Sequence, residues 1–213
     1  MKLQAAALSL LALCLALASV SAKAQTVYSN GPINGNVDAF TINFGFITSD
    51  TFNVSNNPTV ISGLSFGAWL FPGDTLTSVE LSISSQENGG LFYFDDTVNV
   101  NQGFCSTNNF GFNVCQENAT FNGPTLNGGT YWINLQNASA SDGDPVFWDD
   151  NAGPAQASQN SVGSIPSEAF TILGGGTSTF DVTVTTGSVP EPSSMMLLGT
   201  GVLGLAGLVR RRF

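Results

Sequence analysis

Histidine is absent from this sequence of 213 residues, and basic residues are confined to its two ends. The five are Lys2, Lys23, Arg210, Arg211 and Arg212, so residues 25–189 contain none. Of the fifteen acids only Glu191 lies outside that stretch, which leaves fourteen acids and no base within it. Without a cation the body has nothing to neutralise phosphates, and nucleic acid is excluded as a partner. Anionic lipid or polysaccharide is repelled unless a divalent cation bridges the charges. Salt bridges cannot hold the fold, so stability rests on apolar burial and backbone pairing. The same gap removes chemistry. No Ser-His-Asp or Cys-His arrangement can form. There is no imidazole for zinc and no lysine in the body for a Schiff base or a phosphate loop. The expectation is that the chain is not an enzyme.

Long helix-forming runs are missing too, and strand patterns take their place. Every second residue is large and apolar in Phe40–Phe46. The same alternation marks Val79, Leu81 and Ile83, then Phe110, Phe112 and Val114, then Tyr131, Ile133 and Leu135, and finally Phe180, Val182 and Val184. Period two means a strand with one face in a core. Further strands are expected over Thr59–Leu70, Leu91–Val100 and Ala169–Leu173. Turn signals such as Asn56-Asn57-Pro58, Pro72-Gly73-Asp74 and Asn127-Gly128-Gly129 separate them. Asn151–Pro166 reads as a polar surface loop, and Gly174-Gly175-Gly176 as a turn. Short strands so spaced predict an all-β fold, a β-sandwich of jelly-roll-like form, over residues 25–186.

The two ends carry a different pattern. Lys2, an apolar run from Ala5 to Val20 and Ala22-Lys23-Ala24 describe a secretory signal peptide over residues 1–24. Ala22 and Ala24 place the cut, by signal peptidase, after Ala24. At the other end Pro190-Glu191-Pro192 precedes an apolar stretch, about residues 193–209, and then Arg210, Arg211 and Arg212. As a helix, Pro192 to Val209 spans roughly 27 Å, close to the ~30 Å of a hydrocarbon core. A single C-terminal transmembrane helix is expected, with the arginines cytoplasmic and the body outside. Motif, apolar segment and arginine cluster in this order resemble the PEP-CTERM sorting domain over about residues 187–213. The resemblance implies an exosortase-type processing enzyme as partner. It implies a chain exported across the inner membrane, transiently anchored, then displayed at the cell surface or released. The body, with Phe71-Pro72-Gly73-Asp74 and Gly129-Thr130-Tyr131-Trp132, resembles uncharacterised β-rich bodies attached to this signal, a resemblance that assigns no activity.

Within the body a few residues attract chemical readings. Cys105 and Cys115 are expected to pair, because an exported chain reaches an oxidising compartment. Trp69 and Trp132 fall on the polar side of their strands, Trp132 beside Asn134 and Gln136, and Trp148 precedes Asp149. Aromatic rings flanked by amides and carboxylates suit a sugar ring. Two readings stand: a glycan-binding surface for extracellular polysaccharide, or rings covered by another part of the fold. Asp142, Asp144 and Asp149 likewise read as calcium ligands or as solvated turn acids. No other cofactor is expected. Glu80, Glu87, Glu117 and Glu168 show no pairing that marks a glycoside hydrolase. The first expectation is a structural or adhesive surface protein; the alternative is a carbohydrate-binding module.

Overall fold

A computed structural model describes residues 24–55 and 58–176, and every regular element among them is a β-strand. In chain order these are β1 (Gln25–Ser29), β2 (Ala39–Thr41), β3 (Thr48–Val54), β4 (Thr59–Leu70) and β5 (Leu76–Gln86). Next come β6 (Gly89–Thr107), β7 (Asn113–Thr120), β8 (Thr125–Leu126) and β9 (Gly129–Ala140). The last are β10 (Phe147–Asp149), β11 (Ala157–Gln159), β12 (Gly163–Ile165) and β13 (Phe170–Gly176). The fold is all-β. The expected signal peptide, the Phe180–Val184 strand and the C-terminal helix lie outside the described residues.

Hydrogen bonding links all 13 strands into one open sheet, in the order β1-β13-β4-β7-β6-β5-β9-β3-β11-β12, with β10, β2 and β8 branching from it. Continuity runs through β6. Its first part, to Asn99, pairs with β5, whereas Val100 to Thr107 pair with β7. Distant members of this path nevertheless meet. Strands β1 and β3 are seven steps apart along it. A flat sheet would hold them roughly 33 Å apart at ~4.8 Å per strand. The rings of Tyr28 on β1 and Phe52 on β3 have centroids only 6.5 Å apart. The sheet therefore folds back on itself through β6. One buried cluster draws Leu64, Phe66 and Ile172 from one half and Leu81, Ile133 and Leu135 from the other.

Alternation places these residues. In β4 the phase Leu64, Phe66, Ala68, Leu70 faces the core, and in β5 the phase Val79, Leu81, Ile83 does so. Elsewhere local chemistry overrides it. The strand expected over Phe40–Phe46 stops at Thr41, because Asn43 turns the chain. Its side chain accepts from Val146 N and donates to Asp144 O, while Phe44 and Gly45 take φ of 55° and 86°. Phe110 to Phe112 form a turn, not a strand, because Asn108 Oδ1 accepts from both their amides. The expected loop Asn151–Pro166 contains the hairpin β11–β12, which pairs with β3. Gly174 to Gly176 are not a turn but the end of β13, paired with β4. A side chain at Gly174 would stand 2.1 Å from Val60 O, so only glycine lets the strands approach there.

Candidate functional site

Three consecutive residues organise the polar end of the core. Trp148, on β10, points inward and is fully buried between Phe66 and Phe170. Asp149 points to the opposite face. Asp150 points inward again, because side chains alternate along an extended chain. Asp150 lies directly opposite Glu168 across an antiparallel bridge. Asn151 N donates to Ser167 O and Ala169 N to Asp149 O, on either side of the pair. This is the non-hydrogen-bonded kind of pair, in which side chains come closest. Glu168 is two residues before Phe170, so it shares Phe170's inward face. Two carboxyl groups thus stand side by side at the end of the apolar interior.

Asp50 approaches them from the other half of the sheet. It lies on β3, two residues before buried Phe52, and is itself fully buried. Its Oδ2 accepts from Glu168 N at 2.8 Å and from Asn30 Nδ2 at 3.0 Å, and its Oδ1 accepts from Thr51 N. Asn30 also donates to Ser167 Oγ and Glu168 O, and its Oδ1 accepts from Tyr28 OH. Asp50 is therefore satisfied. Asp150 and Glu168 are not: among the described residues no donor reaches any of their four carboxyl oxygens. Facing each other across this close pair, the two carboxyls could share a hydrogen bond only if one kept its proton.

Burial dominates the electrostatics. It pushes Asp50 up to about 7, against the opposing amides of Glu168 and Thr51. It pushes Asp150 up to about 7 as well. Glu168 is raised well above the usual carboxylate range, first by burial and then by the charge of Asp150. No base lies among residues 25–189 to offset any of these. Among the described residues no three Asp, Glu or Cys side chains converge closely enough to cage a metal ion alone.

On the outer face Asp149 has a full set of partners. It accepts from Asn34 N at 2.8 Å, Gly35 N at 2.9 Å and Trp69 Nε1 at 2.6 Å. These bonds fix the loop before β2 over the sheet. Trp69 is 5% exposed, stacked on Phe110 and tilted against Phe112. The structure therefore splits the expected aromatic surface. Trp148 is in the core and Trp69 is covered, so neither offers a free ring. The physical reason is the one-residue alternation at Trp148-Asp149-Asp150, together with the 108–112 turn that lays two phenylalanines over Trp69.

Trp132 stands apart from them. It is half-buried on β9 and lines a groove of about 770 Å³ with Gln86, Glu87, Ala155, Gln156, Ala157, Ser164 and Ile165. Of its expected companions, Asn134 is buried and occupied, donating to Ser82 Oγ and Ser84 Oγ and accepting from Ser49 Oγ. Gln136 is half-buried and donates to Glu80 Oε1. The proposed calcium ligands do not meet either. Asp142 and Asp144 are exposed on a turn, whereas Asp149 is buried with all its bonds directed elsewhere. Cys105 and Cys115 are joined by a disulfide between directly paired positions of β6 and β7, with Cα atoms 4.1 Å apart. Ala22, Pro190, Glu191, Pro192 and Arg210 to Arg212 lie outside the described residues.

Sequence reasoning missed Asp50, Asp150, Glu168 and Asn30 as a group. A signal was present: each of the three acids sits two residues from a large buried ring, in the core phase. Residues 188–212 match the PEP-CTERM protein-sorting motif. The match covers the tail alone, and the motif is a sorting signal, not a catalytic domain. It implies an exported chain, transiently anchored through its tail and handled by an exosortase-type enzyme. No curated protein matches the chain.

Proposed function

We propose that this chain is a structural or adhesive protein of the cell envelope or extracellular matrix, its outer part a jelly-roll-like β-sandwich. After signal peptidase cuts behind Ala24, the tail holds the body outside, with Arg210 to Arg212 cytoplasmic. An exosortase-type enzyme then processes the tail. The observation that supports this best is the sorting motif at residues 188–212 joined to an all-β body. That body has no base and no histidine for the common catalytic arrangements. The test replaces Pro190, Glu191 and Pro192 by alanine. The variant should accumulate in the inner-membrane fraction and disappear from the surface and the matrix. A strain lacking the chain should retain less matrix and adhere less, with rescue by the wild type but not by the variant. Equal surface display of both forms, or unchanged adhesion in the strain lacking the chain, refutes the proposal.

A second reading is favoured by one feature, the Trp132 groove. A half-buried indole flanked by Gln86, Glu87 and Gln156 has the chemistry of a sugar subsite: an apolar face beside hydrogen-bonding groups. On this reading the body is a carbohydrate-binding module. Trp132→Ala should lose binding on a glycan array that the wild type retains. Equal binding by the two proteins removes the reading.

A further inference from the structure

The body buries carboxylates without any base to pair them, and at one place the missing charge has a definite position. Asp150 and Glu168 are fully buried, face each other across a close antiparallel pair, and have four oxygens that no donor among the described residues reaches. Asp50, on the facing half of the sheet, adds a third carboxyl at the same end of the core. An unpaired carboxylate in such a place is strongly destabilising. Native proteins remove that cost with a partner charge or with a proton.

We propose that the Asp150–Glu168 pair binds one divalent cation of the calcium class. The donors are all oxygen, which suits calcium and magnesium and not zinc or copper. Side chains of directly facing residues in a non-hydrogen-bonded antiparallel pair, with Cα atoms ~4.5 Å apart, can both reach one cation with bonds of ~2.3–2.6 Å. Calcium tolerates irregular coordination and takes main-chain and water oxygens for the remainder, whereas magnesium demands an octahedron and keeps its waters. Two protein carboxylates match the divalent charge, and Asp50 keeps the net field negative. The cation joins Asp150, which follows β10, to Glu168, which precedes β13, and so ties together two chain segments that also anchor Trp148 and Phe170. This site is distinct from Asp142, Asp144 and Asp149, which do not converge. It is independent of whether the protein is adhesive or binds a glycan.

The experiment uses the full chain in detergent, stripped with chelator and dialysed against calcium alone. Extracellular calcium modules bind with dissociation constants of about 10⁻⁴–10⁻³ M, so titration should run to about 10 mM. The wild type should take up one equivalent and melt higher in calcium than in chelator. Glu168→Gln and Asp150→Asn should each lose that equivalent and the calcium-dependent shift. In chelator both should melt no lower than the wild type, because an amide removes a buried charge. Asp142→Asn with Asp144→Asn should bind as the wild type does. If the wild type binds no calcium at about 10 mM and melts identically in chelator, the pair shares a proton instead and the proposal fails. It fails equally if Glu168→Gln and Asp150→Asn keep the equivalent. A variant that does not fold in chelator also counts against it, since the carboxylates would then be needed without the ion.

Discussion

Glu117 permits a sharp prediction about pH. It lies on β7 in the same phase as Cys115 and Ala119, and all three face the core. Its neighbours across the sheet are Phe66 on β4 and Gln102 on β6, neither of them charged. It is fully buried, and neither carboxyl oxygen has a hydrogen-bond partner among the described residues. Burial alone raises its pKa from 4.5 to about 8. The sign follows directly. Below 4.5 both folded and unfolded chains hold the proton, and the residue costs nothing through ionisation. Between 4.5 and about 8 the unfolded chain releases the proton and the folded chain keeps it, so stability falls as pH rises. The slope is ~1.36 kcal/mol per pH unit, so the loss at pH 7 is roughly 3 kcal/mol.

Glu117→Gln keeps the shape and cannot ionise. Against the neutral acid, the amide exchanges one buried polar end for another, so the two proteins should be nearly equal at pH 4. At pH 7 the variant should be more stable by roughly 3 kcal/mol, and the difference should level off above about 8. Urea unfolding followed by tryptophan fluorescence, in chelator at stepped pH, measures this. A difference that stays flat from pH 4 to 8 would mean the carboxyl is hydrated in the folded state, and the account of Glu117 as a dry core acid would be wrong.

Two other outcomes are expected. Reducing the Cys105–Cys115 bond, or replacing both residues by serine, should cost roughly 2.5–3 kcal/mol by the chain-entropy estimate for so short a loop. Unfolding curves with and without reductant check this, and superimposable curves would show that the bond does not constrain the unfolded chain. Gly67→Ala should destabilise by about 1–3 kcal/mol through overpacking. Its new methyl would lie 2.8 Å from Asp149 Cβ and 3.0 Å from Ile33 Cγ2. The loop held by Asp149 should loosen with it, seen as faster amide exchange at Asn34 and Gly35. Unchanged melting and exchange would show that the loop yields without cost.

What the sequence makes legible is phase. Over Leu64–Leu70 of β4, Val79–Ile83 of β5 and Tyr131–Leu135 of β9 the alternation is uninterrupted and names residues of the core. It fails where a side chain captures the backbone, as Asn43 and Asn108 do, because a local hydrogen bond stops the strand while the apolar pattern runs on. It fails again in the glycines of β13, whose composition reads as a turn although close strand approach requires one of them, Gly174. The site suffered from reading neighbours as a cluster. Trp148, Asp149 and Asp150 are adjacent in sequence, yet period two sends the middle one to the opposite face. Glu168 is remote from Asp150 in the chain, and only the pairing register brings them together.

Phase also separates the acids into two kinds. Glu80 sits between Val79 and Leu81 and faces outward, where Gln136 and Asn137 donate to it. Asp50, Glu117, Asp150 and Glu168 each stand two residues from a buried Phe52, Cys115, Trp148 or Phe170, and all four point inward. In a body without bases, inward acids must be neutralised by something other than a side chain. For Glu117, isolated between Phe66 and Gln102, only a proton serves. For Asp150 and Glu168, paired and backed by Asp50, a divalent cation serves. The two devices are electrostatically separate, since burial is the sole cause of the shift at Glu117. Glu117→Gln should therefore keep the full calcium-dependent rise in melting temperature while losing the pH slope. If that substitution also abolished the calcium response, the acids would form one coupled system, and the division of labour between proton and cation would be refuted.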